Sequence, residues 1–109
     1  MDPRALRYFV LVAEEGSVHA GARRAMVAQP ALSVALKKLE REVGAALLER
    51  SHKGVTLTEA GVALLPRARQ ILDSIETAKN VASLATPSAG TAPVFTVGLV
   101  EGRVAAGEL

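Results

Sequence analysis

The chain has 109 residues, half of them hydrophobic, no cysteine, and a net charge of +2 at neutral pH. A chain this short can bury one small core and little more, and with aromatics confined to Tyr8, Phe9 and Phe95 that core must be aliphatic. The absence of cysteine excludes disulfides and thiolate metal sites, and no apolar run approaches the ~18 residues that span a bilayer. No signal-peptide pattern opens the sequence, so a cytoplasmic protein with no membrane partner is expected.

The first predicted helix supplies Leu6, Phe9, Val10 and Ala13 to the core, facing Ala22, Leu32, Leu36 and Leu39. Ser17 can cap a short second helix from Val18 to about Arg24, and Ala25 to Ala28 is too brief for more than a turn. From Gln29 to Val43, Leu32, Leu36, Leu39 and Val43 recur at intervals of four, three and four, which turns one stripe of a third helix toward a core. The opposite face carries Gln29, Ser33, Lys37 and Arg41, with Val34 and Lys38 alongside. Pro30 suits the first turn, where a missing N–H costs nothing. Two short helices joined this tightly read as a helix-turn-helix.

After Gly44 the pattern becomes strand-like in Leu47-Leu48-Glu49 and Val55-Thr56-Leu57, around the basic turn Arg50-Ser51-His52-Lys53-Gly54. Such a pair predicts a hairpin, or wing. It can lay Arg50, His52 and Lys53 against a phosphate backbone while the preceding helix enters a major groove. Between Arg23 and Lys53 seven basic residues face three acidic ones, an excess of four in a chain whose total is +2. The positive charge is therefore concentrated where the two motifs lie.

Thr58 can cap a long helix running through Leu64 and Leu65 to about Leu84. Within it Leu64, Ala68, Ile71, Ile75, Ala78, Ala82 and Ala85 alternate at four and three residues, the spacing of a helix that packs against another helix. A small first domain cannot cover that whole stripe, so a second copy of the chain is expected to do so; folding back on its own domain ranks second. Pro66 is expected to bend the helix locally. Residues 86–93 (TPSAGTAP) read as a flexible linker. Val94 to Val100 read as the first strand of an α/β domain that the nine residues after it cannot complete, the segment being either truncated, disordered or borrowed by a neighbouring chain.

Taken together, the opening Leu6-Arg7-Tyr8-Phe9-Val10, Glu14-Glu15-Gly16-Ser17, Gln29-Pro30-Ala31-Leu32-Ser33, Leu39-Glu40, Leu47-Leu48-Glu49-Arg50 and Leu57-Thr58-Glu59-Ala60-Gly61 resemble the LysR-type transcriptional regulators in order and spacing. The resemblance covers residues 1 to about 85. It implies a mainly α fold: a winged helix-turn-helix of three helices and a two-stranded wing (1–57), a dimerisation linker helix (58–85), a flexible linker (86–93) and the start of an effector-binding domain (94–109). It further implies a homodimer on an inverted repeat of double-stranded DNA, with higher assembly and a small-molecule inducer belonging to a full-length form, and no cofactor. Residues implied for DNA are Ala28, Gln29, Pro30, Ser33, Val34, Lys37, Lys38, Arg50, His52 and Lys53; those implied for dimerisation are Leu64, Ala68, Ile71, Ile75, Ala78 and Ala82. Two positions depart from the family pattern: Ala28 stands where Ser or Thr is common, and Val34 where Arg is common.

Each of these readings has a plainer rival. On an isolated helix Lys37, Lys38 and Arg41 would be an ordinary solvated face, and only the wing and the matched motif reverse that preference. His19 and His52 have no partner at metal-ligand spacing, Arg67 and Arg69 read as solvated, and Glu14, Glu15, Glu40 and Glu42 read as helix-surface charges. No nucleophile elbow, phosphate-binding glycine loop or carboxylate pair supports catalysis. Two other functions stay open: a winged-helix module for protein partners, and a dimerising fragment that inhibits a longer regulator.

Overall fold

The computed structural model describes residues 1–86, in the order α1 (Pro3–Glu15), α2 (Val18–Ala25), α3 (Gln29–Val43), β1 (Leu48–Ser51), β2 (Gly54–Leu57) and α4 (Glu59–Leu84). The expected linker beyond Thr86 and the expected strand 94–100 lie outside the described residues. Residues Met1–Glu76 form one compact unit, and the described residues from Thr77 onward belong to a second. In the first unit α1, α2 and α3 enclose the core, and the two strands form the wing.

Local chemistry sets the helix ends. The Asp2 carboxylate accepts from the Arg4 amide at 2.9 Å and opens α1, followed by proline in the first turn. That amide bond, reinforced by the Arg4 side chain and by the more distant charge of Lys38, holds the Asp2 carboxyl below its usual range. The Ser17 hydroxyl accepts from the Ala20 amide at 3.0 Å and starts α2 as the sequence predicts. The α2 helix ends in a left-handed residue, Met26 (φ 60°), and the Val27 amide donates back to the Ala22 carbonyl at 3.1 Å. The observed turn is therefore Met26 to Ala28.

Phe9, Leu6, Leu32, Leu39, Leu47 and Val12 are the largest fully buried side chains, and each contributes about 1.5–3 kcal/mol by leaving water. Most of the expected core is present, with two differences on the predicted faces. Ala13 is half-buried, and Val43 is 40% exposed because α3 runs past the edge of the small core in its last turn. Leu47, read from the sequence as a strand residue, instead precedes β1 and plugs the core at 1% exposure.

The wing is a two-stranded antiparallel sheet pairing Leu48 with Leu57, Glu49 with Thr56, Arg50 with Val55 and Ser51 with Gly54. Arg50 and Ser51 continue the ladder, so the turn shrinks from the expected five residues to His52-Lys53, a two-residue hairpin loop. The Val55 amide donates to the Gly16 carbonyl at 2.9 Å, which ties the wing to the end of α1.

At its start α4 is held by the same junction. Thr58 donates its amide to the Leu47 carbonyl (3.0 Å) and its hydroxyl to the Ala46 carbonyl (2.6 Å), while that hydroxyl accepts from the Gly61 amide (3.0 Å). The helix runs without a break through Pro66. Glycine is needed where backbones touch: a Cβ on Gly61 would collide with the Leu47 carbonyl oxygen, and one on Gly21 would lie 2.6 Å from Val12 Cγ2. Because backbone cannot yield as a side-chain tip does, Gly61→Ala is expected to lower stability by about 1–3 kcal/mol in urea denaturation. Unchanged stability would mean that α4 does not seat on the Leu47 backbone.

Candidate nucleic-acid interface

The exposed surface of α3 begins at Ala28, its N-cap, which makes no side-chain capping bond. Gln29, Pro30, Ala31, Val34, Lys37, Lys38 and Arg41 are exposed along the helix, whereas Leu32, Leu36 and Leu39 take the buried side. Ser33 is half-buried, because it lines a cleft of about 140 Å³ between α3 and β1 together with Leu36, Lys37, Glu40, Leu48 and Arg50. The fold thus brings Ser33, Lys37 and Arg50 to one groove. His52 and Lys53 form the exposed wing tip, and the Ser51 hydroxyl accepts from the Lys53 amide at 3.1 Å. Lys38 lies toward the start of α1, near enough for its charge to be felt at Asp2.

Glu40 corrects the sequence reading. Its Oε2 accepts from the amides of Leu47 (2.7 Å) and Leu48 (3.3 Å), so this carboxylate fixes the start of the wing to α3 rather than standing free on the surface. The available signal was position: Ser33, Lys37 and Glu40 share one side of the helix, and an acid interrupts an otherwise basic stripe.

Glu14, Glu15 and Arg69 are exposed as expected, and they also pair in a way the sequence does not show. Glu14 accepts from Arg24 at 2.9 Å and from Arg69 at 3.1 Å, and Arg24 also donates to Glu15 at 3.0 Å. The expected solvated Arg69 and the two glutamates are therefore members of a network joining α1, α2 and α4, and Arg24 is spent there instead of adding to the α3 face. Bonds from Arg24 first and Arg69 second hold the Glu14 carboxyl below the usual glutamate range. The glutamates in turn raise the Arg24 guanidinium.

The residues expected for dimerisation divide. Ala68 is fully buried and Leu64 packs against the core, so this part of the stripe is occupied within the chain. Ile71, Ala78 and Ala82 are exposed and Ile75 is half-buried. Among the described residues no cluster of three or more His, Cys, Asp or Glu could hold a metal, and no helix is long and apolar enough to cross a membrane.

A tight α2–α3 turn, an exposed third helix and a basic hairpin locked beside it define a winged helix-turn-helix. Residues 3–62 match the family described as bacterial regulatory helix-turn-helix protein, lysR family, and the chain belongs to that family. It is 46% identical over 76 residues to the transcriptional regulator ClcR of Pseudomonas putida, covering 70% of this chain and 26% of ClcR. It is 43% identical over 96 residues to BsdA of Bacillus subtilis, covering 86% of this chain and 33% of BsdA. The chain thus spans about a quarter to a third of the length of the curated relatives it matches. Among solved structures it is similar to the CbnR DNA-binding domain in complex with DNA, with a TM-score of 0.75, 41% identity, and coverage of 80% of this chain and all of that one. The BenM DNA-binding domain on its catB site 1 DNA gives a TM-score of 0.73 at 36% identity, covering 77% of this chain and 94% of that one. The relatives are transcriptional regulators and not enzymes.

Two stability outcomes follow from this geometry. Glu40→Ala leaves two wing amides without their carboxylate and is expected to cost about 1–3 kcal/mol, whereas Ala28→Ser supplies a missing cap and is expected to add about 0.5–2 kcal/mol; urea denaturation of both variants checks them. The Glu14 network has a defined pH sign. Its carboxyl is depressed in the folded chain, so its stabilisation is present above the unfolded glutamate value, about pH 4, and is lost as pH falls through the folded one. Glu14→Gln is therefore expected to be less stable than wild type at neutral pH, the gap closing in acid. A gap that stays constant with pH would contradict the network.

Proposed function

We propose that this chain is a sequence-specific reader of double-stranded DNA that works as a homodimer. In this reading α3 enters the major groove with Gln29, Ser33 and Val34 toward base edges, and its N-terminal turn, Ala28 to Pro30, lies closest to the duplex. Lys37, Lys38, Arg50 and Lys53 meet phosphates, with His52 beside them at the wing tip. The cleft shared by Ser33, Lys37 and Arg50 carries the argument, because it joins a cation on the recognition helix to one on the wing across a gap open to solvent. The two cations suit a backbone phosphate, and Ser33 in the same lining can add a hydroxyl donor. The similar CbnR and BenM domains are solved in complex with DNA, which supports DNA as the partner.

Dimerisation is assigned to the later part of the α4 stripe, exposed Ile71, Ala78 and Ala82 with half-buried Ile75, and exposed Val81 and Leu84 add apolar surface nearby. Two heads joined in this way would address an inverted repeat, the half-site spacing being set by the helix pair. A small-molecule inducer and assembly beyond a dimer belong to a longer form with the effector domain of its relatives, and a regulator of transcription of this kind works in the cytoplasm.

Salt dependence tests the reading. Neutralising several phosphates per head predicts that log affinity falls steeply with log salt concentration. Lys37→Ala and Arg50→Ala are each expected to flatten that slope by about 0.9 and to weaken binding to all duplexes alike. A flat response in the wild-type chain, measured by fluorescence anisotropy, would exclude the phosphate assignment.

A further inference from the structure

The exposed side of α3 changes character within its first two turns. Pro30, Ala31 and Val34 all face solvent, and Val34 leaves 67% of its surface open. Spacings of four and three residues set Pro30 and Ala31 beside Val34 on the helix surface, so the three form one small apolar step. The fold does not require it, since Leu32, Leu36 and Leu39 already supply the buried side of α3. The step is bounded by the Gln29 amide at the helix start and by Lys37 and Lys38 one turn further on. A purely apolar partner would leave those ammonium groups without counter-charge. A partner that is anionic along its backbone yet offers an isolated methyl group satisfies both, and in the major groove the base edge with that property is thymine.

We propose that Val34, flanked by Pro30 and Ala31, reads the C5-methyl of a thymine in each half-site. The proposal rests on α3 lying in the major groove and names what it selects there. Val34 has no donor or acceptor, so it discriminates by methyl contact alone and gives no preference for a guanine edge. Its branched side chain holds a single dominant rotamer in a helix, so the contact costs little side-chain freedom. Gln29, also exposed and with an amide able to pair with adenine N6 and N7, stands about 1.4 turns away along the helix and would read a separate base pair.

Base analogues provide the test, using the full chain and the duplex it prefers from a random pool. Deoxyuridine replaces thymidine one position per half-site at a time, which removes the methyl and leaves every hydrogen-bonding group in place. At one position the wild-type chain is expected to bind about three- to five-fold more weakly per half-site, the worth of one buried methyl. The Val34→Ser variant, whose circular dichroism should match wild type, is expected to bind the thymine and uracil duplexes equally. Equal binding of both by the wild-type chain at every position would overturn the proposal, as would a methyl dependence that survives in Val34→Ser. Either result leaves the major-groove reading standing, whereas a chain that prefers no duplex at all overturns both.

Discussion

The rest of the structure depends on the junction at Leu47. Its side chain is sealed in the core, its amide is held by Glu40 of α3, and its carbonyl accepts from Thr58 and abuts Gly61. The start of the wing, the C-terminal half of α3 and the first turn of α4 are thereby fixed through a single residue. Backbone and carboxylate bonds of this kind allow little play, because an unpaired buried amide costs about 1–3 kcal/mol. A hairpin of two four-residue strands would be marginal alone. It keeps its place beside α3 because Glu40 grips one end and Gly16 receives the Val55 amide.

That rigidity gives the surface its use. Lys37 and Arg50 come from different elements, and their shared cleft exists only while the wing is docked. Arginine and lysine held in place meet a phosphate with less loss of side-chain freedom than cations on loose loops. The opposite charge arrangement serves stability: Arg24 and Arg69 are drawn to Glu14, away from the α3 face, and brace α1 against α2 and α4. These groups are half-exposed, so solvent screening keeps that contribution modest. On α3 and the wing, Lys37, Lys38, Arg41, Arg50 and Lys53 stay exposed.

Much of this was legible in the sequence because it is local. The Leu32, Leu36, Leu39 spacing fixed the buried side of α3, and Ser17 and Thr58 announced their helix starts by the chemistry of a cap. What escaped is long-range. Glu14 and Arg69 lie 55 positions apart, and no periodicity relates them. Glu40 looked like a surface acid because its partners are amides seven and eight residues onward, beyond the reach of a helical repeat. The Leu47 strand assignment failed for a related reason: an apolar run before a hairpin shows burial, not which residue leaves the core for the sheet. The α4 stripe was ambiguous in kind, since a four-three alternation shows that a face is apolar without naming its cover. Leu64 and Ala68 turn that face inward to their own domain, and exposure resumes at Ile71.

We propose that a rigid head of α3 and wing, presented twice, reads a paired DNA site. Selection of duplexes from a random pool by the purified chain, across a range of protein concentrations and followed by sequencing, tests it most directly. A dimeric reader should recover an inverted repeat with one fixed spacing, emerging as concentration passes through the dimerisation range. A pool that remains featureless at every concentration, or a lone half-site with no fixed partner, would contradict it.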